Sequence, residues 1–236
     1  MQPVIDVSSF TRSQALEYLN NFNPALYAKT RNYLNGHISY LSALIKHGII
    51  QNREVYDLIR NKFSFAESEK FFQELAWRDF WRSYAHQHPQ SLWQDVEDYK
   101  TGFQASDYAQ ELPEDIQQSQ TPTQVINIFL NQLRNTGYLH NHARMYLAAY
   151  IIHFRKVKWQ AGARWFMYYL LDGDLASNNF SWQWVASTFA QKPYFFNLEN
   201  VQKYCSQSIS IIPEENKEID GSYEEISARL FPNLWG

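Results

Sequence analysis

Apolar residues recur at intervals of three and four along most of the chain, which is the spacing of an amphipathic α-helix. The longest segment of this kind covers residues 67–86 and carries two neighbouring aromatic stripes before Pro89, a residue that cannot continue a helix. The same periodicity predicts further helices over residues 37–50, 141–157, 161–171 and 182–190. Alternation of apolar and polar residues is confined to SISII at 208–212, so the pattern predicts an all-α fold.

Local signals mark where several helices begin and end. Thr11 and Ser222 each open a capping box, with Gln or Glu three residues later. Thr121 followed by proline predicts a cap with proline at the first helical position, and Gly137 closes that helix. Two stretches lack periodic apolar positions and are predicted to be irregular connections, residues 94–120 and 193–220. We therefore expect a single helical domain over residues 1–236.

Charge and composition narrow the classes of function. A net charge of −3 and a pI of about 6.2 argue against a protein that coats nucleic acid through bulk charge. The single cysteine, Cys205, excludes an intrachain disulfide and a cysteine-based metal site, and it fits the cytoplasm or another reducing intracellular compartment. The N-terminus MQPVIDVSSF lacks a signal peptide pattern, and no apolar run is long enough to cross a bilayer. We expect no metal and no membrane partner.

Aromatic residues make up 17% of the chain, with 8 Trp, 16 Tyr and 16 Phe. One interpretation is a core filled with large rings. Another is a site that stacks on a planar cofactor or base. The composition alone leaves both open.

The segment LLDGDLASNNFSWQW at residues 170–184 combines two aspartates around Gly173, two asparagines and two tryptophans. An aspartate at a helix end can be no more than a cap. Carboxylates and amides beside indole rings would also suit a flat heterocycle that carries N–H and C=O groups at its edge.

Three stretches carry a resemblance to a known family: FFQELAWRDFWRSY at 71–84, NTGYLHNHARMYLAAYI at 135–151 and VKWQAGARWFMYYLLDGDLASNNFSWQWVAST at 157–188. Together they resemble the FAD-binding catalytic domain of the DNA photolyase/cryptochrome family. YAKTRN and YLSALIKHGIIQNREV resemble the same domain more weakly upstream. The resemblance is strongest over residues 25–195, and residues 196–236 form a divergent extension. It implies a helical domain that holds FAD.

The resemblance implies roles for residues around FAD. Residues matching the phosphate and ribityl segment are Tyr27, Ser39, Leu41 and Ser42. Arg144 and Asp172 match the ion pair beside the flavin ring, where a cation stabilises reduced flavin. The remaining implied cofactor contacts are Arg78, Asn141, Asp174 and Asn178.

Other matched residues concern electron transfer. Asn178 matches the residue that faces flavin N5, and asparagine at that position resembles the repair branch. Trp182 and Trp159 match the first two tryptophans of the family's electron-transfer chain. The third tryptophan of the family's electron-transfer chain is exposed and has no match in residues 102–110. Either Tyr108 replaces it, or electron transfer ends at Trp159. The catalytic residues implied by the resemblance are Trp182, Trp159, Asn178 and Glu74.

Five residues match the pocket that holds a flipped pyrimidine dimer: Glu74, Trp77, Asn141, Met145 and Trp184. In the family, the glutamate and the asparagine hydrogen-bond the bases, and the two tryptophans wall them. Base extrusion requires such an aromatic slot. The resemblance therefore implies light-driven repair of dimers in DNA.

The chain also departs from the family pattern. No antenna domain is recognisable, so no antenna chromophore is expected, and the family's phosphate-contacting arginine is replaced by His142. Because each lost phosphate contact weakens DNA binding, single-stranded damaged DNA is a more plausible partner than duplex. The alternative is a blue-light or redox sensor that acts through a protein partner without repair. A helical remnant that binds no FAD is a third hypothesis.

Overall fold

The computed structural model describes residues 11–234, and in this part of the chain the regular elements are helices joined by turns and irregular segments. Its β-type pairing is limited to an isolated bridge between Ala109 and Val157. The prediction of an all-α fold is confirmed. The helices are α1 (Arg12–Asn21), α2 (Pro24–Thr30), α3 (Ser42–Lys46), α4 (Asn52–Arg60), α5 (Phe65–Gln87), α6 (Glu114–Gln117), α7 (Gln124–Thr136), α8 (Asn141–Ala149), α9 (Trp159–Tyr169), α10 (Leu175–Ala186), α11 (Leu198–Cys205) and α12 (Tyr223–Leu230).

The long helix α5 covers the predicted stretch 67–86 and extends it to Phe65–Gln87, so it begins two residues earlier and ends one residue later. Ser64 and Glu67 form a reciprocal capping box at its start, which satisfies backbone N–H groups that have no intrahelical partner. The helix ends at Gln87, just before the 3-10 turn Pro89–Leu92. The capping boxes predicted at Thr11 and Ser222 are also confirmed.

Two hydrophobic cores lie under these helices. The larger one is built mainly from α7 to α11 and includes fully buried Phe129, Tyr146 and Trp159. The smaller one joins α1, α3, α4 and α5 around Phe22 and Phe71. Helix α10 packs against α5, α8 and α9, so it connects the two halves. None of the helices over residues 11–234 combines the length and apolarity needed to cross a bilayer.

The helix predicted over residues 37–50 is wrong in extent, because only Ser42–Lys46 is helical. Tyr40 has φ of 54° and Gly48 has φ of 72°, and both values lie in the left-handed region that interrupts a helix. Buried Leu44 anchors this bent segment to the smaller core. The apolar spacing therefore reflects attachment of an irregular segment.

The predicted cap at Thr121 is also wrong, since α7 begins at Gln124, two residues after the predicted first helical residue Pro122. The Thr121 amide and hydroxyl both donate to Asn127 Oδ1, each over 2.8 Å, and this holds Thr121 in a turn ahead of the helix. Thr123 occupies the N-cap position. Gly137 closes α7 with φ of 64°, as predicted.

The helix predicted over residues 182–190 begins earlier, at Leu175, because Asp174 caps it. Asp174 Oδ1 accepts from the Ser177 amide over 3.0 Å. The polar residues of the first turns concealed this start from the periodicity. The helix ends at Ala186, where Ser187 takes a left-handed conformation.

Other boundaries also differ from the prediction. The helix predicted over 141–157 ends at Ala149 and continues as a π-helical turn, Tyr150–Phe154. Residues 161–171 are helical over Trp159–Tyr169. The stretch 193–220 contains α11, and residues 208–212 form no strand.

Candidate flavin site

The ion pair between Arg144 and Asp172 lies where the two halves of the fold meet. Arg144 projects from the first turn of α8, and Asp172 stands in the turn between α9 and α10. Arg144 Nη2 donates to Asp172 Oδ2 over 2.8 Å, and its Nε donates to the Leu139 carbonyl over 2.7 Å. Burial raises the pKa of Asp172, but Arg144, the Ser42 hydroxyl and Arg78 together lower it overall. The carboxylate is therefore held ionised.

The two members of this ion pair differ in exposure. Burial lowers the pKa of Arg144, although Asp172 raises it overall, so protein surrounds the guanidinium. The Arg144 side chain nevertheless keeps 22% exposure, whereas Asp172 keeps 3%. Tyr138 lies against this guanidinium, whose carbon is 5.6 Å from the ring centroid, and burial raises the pKa of Tyr138. The Arg144 guanidinium is thus mostly enclosed by protein but still partly accessible to solvent.

Asp174 serves the protein itself with both carboxylate oxygens. Its Oδ1 caps α10 through Ser177, as the simpler interpretation of the aspartate supposed. Its Oδ2 accepts from Arg82 Nη2 over 2.8 Å and lies 3.7 Å from Arg78 Nη2. Burial raises the pKa of Asp174, while the Ser177 amide and the two arginines lower it overall. Both carboxylate oxygens of Asp174 are therefore engaged within the protein, and only its backbone remains available to contact a ligand.

Asn178 and Asn179 follow on the first turns of α10. Asn178 is half-buried, and its Nδ2 donates to the Ala163 carbonyl over 3.1 Å and to Asn179 Oδ1 over 2.9 Å. Asn179 is fully buried and donates to the Leu92 carbonyl over 2.6 Å. Asn178 is thus the asparagine of the pair that remains accessible.

The upstream segment presents its four predicted residues unequally. Leu41 is buried in the smaller core, so only its backbone is available to a ligand. Tyr27 is half-buried against Phe71, and burial raises the pKa of its hydroxyl to about 12. Ser39 and Ser42 are half-buried and flank the strained backbone at Tyr40.

The residues present fit a polar heterocyclic cofactor. Arg78 Nε and Nη2 are buried without a hydrogen bond, and Nη2 lies 3.7 Å from the Asp174 carboxylate. Unsatisfied buried groups of this kind are costly unless a bound partner completes them. FAD carries N–H groups, carbonyls and phosphates that would complete them. The sequence analysis predicted Arg78 as a cofactor contact, but it did not predict Arg82.

The two matched tryptophans are buried near one another. Trp182 packs against Gly162, which lies one turn after Trp159 on α9. Trp159 Nε1 donates to Asp95 Oδ1 over 2.6 Å, and its ring lies parallel to Trp93 within 4°, with ring centroids 6.3 Å apart. Neither Trp93 nor Asp95 was predicted.

Tyr108 is not exposed. This contradicts the option that Tyr108 replaces the missing third tryptophan as an electron donor at the surface. It is 2% exposed and stacks on Tyr99 with ring centroids 4.4 Å apart. Its hydroxyl pairs with the Thr101 hydroxyl over 2.8 Å. A surface electron donor at Tyr108 is therefore excluded.

An aromatic groove of about 490 Å³ contains two of the predicted substrate residues, Trp77 from α5 and Trp184 from α10. They are 48% and 42% exposed, which is unusual for tryptophan in a folded domain. Phe80, Phe189 and Lys192 also line the groove and were not predicted.

The other predicted substrate residues do not line this groove, and they lie on α5 and α8. Glu74 lies one turn before Trp77 on α5, and its Oε1 is 2.8 Å from Lys70 Nζ and 3.3 Å from Arg31 Nη1. Asn141 is exposed at the start of α8, with Nδ2 3.9 Å from the sulfur of half-buried Met145.

His142 does not face a DNA phosphate, because it is buried. Its Nδ1 pairs with the Asn32 carbonyl over 2.9 Å, and its ring packs on Tyr146 and Tyr204. Burial lowers the pKa of His142 to about 4, so the ring is neutral near pH 7. The side chain is therefore not on the protein surface.

Comparison with known proteins places this geometry in a family. Residues 71–212 match the family described as the FAD binding domain of DNA photolyase. A deoxyribodipyrimidine photo-lyase of Streptomyces griseus is 32% identical over 150 residues, which cover 64% of this chain and 32% of that protein. The helical fold and the paired charges thus define an FAD-binding domain. The chain belongs to the DNA photolyase family through this domain.

Solved structures agree with this assignment at the level of the fold. A bacterial class III photolyase from Agrobacterium tumefaciens matches 98% of this chain and 48% of its own chain, with a TM-score of 0.68 and 22% identity. A cryptochrome from Synechocystis matches 82% and 43%, with a TM-score of 0.69 and 22% identity. The chain spans about a third of the length of the curated relatives it matches.

Proposed function

We propose that FAD binds between α5, α8 and α10, with its ring beside Arg144, Asp172 and Asn178. The observation that carries this proposal is the buried Arg78 guanidinium, whose Nε and Nη2 have no hydrogen bond, inside a domain of the photolyase family. Arg144 would hold negative charge on a reduced ring, and Asp172 keeps that guanidinium in place. Bound FAD would supply a one-electron donor that blue light excites. No antenna group forms part of the proposal.

We propose further that the domain repairs pyrimidine dimers, with single-stranded DNA as the preferred substrate. Trp77 and Trp184 offer exposed indole faces on which extruded bases stack, and Lys192 supplies a cation at the groove. Extrusion costs least when the base is already unpaired. Because His142 is buried and the net charge is −3, neither this side chain nor the overall charge favours binding to duplex phosphates.

Glu74 and Asn141 would then hydrogen-bond the polar edges of the bases, and Met145 would pack beside them. Glu74 is only partly free for this role, since Lys70 and Arg31 already hold its Oε1. A base that reaches Glu74 would use its other oxygen or displace Lys70. Trp182 and Trp159 would deliver electrons to the cofactor site.

The test uses protein that carries fully reduced FAD, illuminated with blue light in the presence of an oligonucleotide containing one thymine dimer. We expect dimer loss, faster in a single strand than in duplex. Glu74→Ala should reduce repair by about tenfold or more, since one hydrogen bond to a charged group is worth about 1.5–3 kcal/mol. Glu69→Ala, an exposed carboxylate on the same helix, is the control and should change nothing. Absence of any turnover with reduced FAD would end the repair proposal.

A sensor of blue light or redox state is the second candidate. The ion pairs of Glu74 favour it, because a glutamate held by two cations is less available to a substrate. In this case a protein partner would bind differently to illuminated and dark protein. Tight binding of dimer-containing single strands that is lost in Glu74→Ala would count against the sensor.

A further inference from the structure

Trp182 and Trp159 form the proposed electron path, in which Trp159 is the outer residue. Trp159 makes an unusual contact between its indole and a carboxylate. Trp159 is fully buried, and its Nε1–H donates to Asp95 Oδ1 over 2.6 Å. Hydrogen bonds to an ionised acceptor are stronger than those between neutral groups. The only proton that Trp159 can release at its indole nitrogen therefore already points at a base.

The Asp95 carboxylate has no cation to neutralise it. Gln160 Nε2 also donates to Oδ1, over 3.1 Å, but within residues 11–234 no lysine, arginine or histidine forms an ion pair with Asp95. Asp95 is half-buried, so the residue is partly accessible to solvent. A carboxylate in this position can take up a proton from Trp159 and later release it.

Trp93 is the neighbour to which positive charge could otherwise move. Its ring is parallel to Trp159, with the centroids 6.3 Å apart. However, the Arg164 guanidinium carbon lies 4.9 Å from the Trp93 centroid, on a side chain exposed to solvent. This cation disfavours a positive charge on Trp93, even after screening by water, while Asp95 favours oxidation at Trp159.

The inner tryptophan of the path, Trp182, also has a defined contact. Gly162 lies one turn beyond Trp159 on the same face of α9, and the Trp182 ring rests directly on Gly162. Both indoles belong to the larger core. An electron can therefore pass from Trp159 to Trp182 within one packed layer.

We propose that Asp95 is the proton acceptor of Trp159, so that the electron path ends at this proton-coupled pair inside the protein. One electron moves from Trp159 to oxidised Trp182. The Nε1–H bond of Trp159 breaks and an O–H bond forms at Asp95 Oδ1, which leaves a neutral tryptophanyl radical and a neutral carboxylic acid. A soluble one-electron reductant, such as a thiol or ascorbate, later restores Trp159, and the proton returns from Asp95.

This inference rests on the proposed function, because the oxidant that acts on Trp182 is photoexcited oxidised flavin of bound FAD. It explains how a chain without a tryptophan in residues 102–110 retains a usable electron donor. Trp159 needs no exposed successor, since deprotonation traps the oxidised state where it forms.

The test compares wild type with Asp95→Asn, which keeps an acceptor oxygen for Nε1–H but cannot take its proton. After a light flash, transient absorption of FAD-loaded wild type should show a neutral tryptophanyl radical whose formation slows in D2O. Asp95→Asn should form the radical cation and lose both the neutral radical and the isotope effect. Asp98→Asn, an exposed neighbouring carboxylate, should behave as wild type.

Trp93→Phe separates the proposal from its competitor. It should leave the neutral radical unchanged; loss of that radical in Trp93→Phe, or its undiminished formation in Asp95→Asn, would overturn the proposal. A second measurement needs no cofactor. The ¹⁵N–¹H NMR signal of the Trp159 indole should shift in Asp95→Asn but not in Asp98→Asn, and an unshifted signal would show that the contact does not exist. Protein that takes up no FAD would instead refute the proposed function while this signal still reported on the contact.

Discussion

Gly162 and Trp182 are in direct contact, and a Cβ at position 162 would overlap the indole ring. The ring therefore rests on the backbone of α9. Gly162→Ala should force the indole out of place, and overpacking of a core typically costs about 1–3 kcal/mol in unfolding free energy. Urea unfolding measures this cost.

The matched background for that variant is Trp182→Phe, whose smaller ring leaves room for a methyl group. Gly162→Ala should cost markedly less in this background, and a double-mutant cycle gives the coupling. Equal costs in both backgrounds would mean that the indole is not what excludes a side chain.

Breaking the ion pair beside the proposed flavin ring should be costly. Asp172→Asn leaves the Arg144 charge without its partner, and removal of one member of a buried pair costs about 3–5 kcal/mol. Asp115→Asn is the control, because it breaks a more exposed pair with Arg155. That change should cost about 1 kcal/mol or less. Similar losses in the two variants, measured by urea unfolding, would contradict the burial of the first pair.

Stability should fall on mild acidification because buried His142 is neutral in the folded protein. Its pKa is lowered from 6.5 to about 4, chiefly by burial, so the unfolded chain binds a proton first. The unfolding free energy is therefore unaffected by protonation of His142 above pH 6.5. It falls by up to about 3 kcal/mol as the pH falls toward 4. Unfolding free energies measured across this range should fall less steeply in His142→Phe. An unchanged slope would show that His142 does not titrate in this way, and exposed His86→Gln serves as the control.

The parts of the fold that sequence predicts well are those decided by neighbours in the chain. The capping box at Ser64 and the stop before Pro89 define α5 locally. By contrast, Asp174 starts α10 among polar residues whose burial depends on distant partners such as Leu92. Periodicity cannot show such partners, and it therefore placed that helix start too late.

Some residues of the candidate site were also predictable from the sequence, and others were not. Arg144 and Asp172 were paired through family resemblance, and the structure has them in contact. Trp93 and Asp95 escaped notice because nothing in their local sequence signals a contact with Trp159, which the packing of the 3-10 turn Pro89–Leu92 brings about. Tyr108 was a candidate by position alone, and only its burial beneath Tyr99 and Thr101 excludes it.

The most direct measurement of the central claim is FAD uptake by the purified chain, followed by absorption spectroscopy and by titration calorimetry. We predict one bound FAD per chain with flavin absorption bands, and an affinity that falls about tenfold or more in Arg78→Ala, equivalent to about 1.4 kcal/mol. Arg155→Ala, which removes a guanidinium paired elsewhere with Asp115, should bind FAD as wild type does. A folded chain that stays colourless and takes up no FAD would contradict the account.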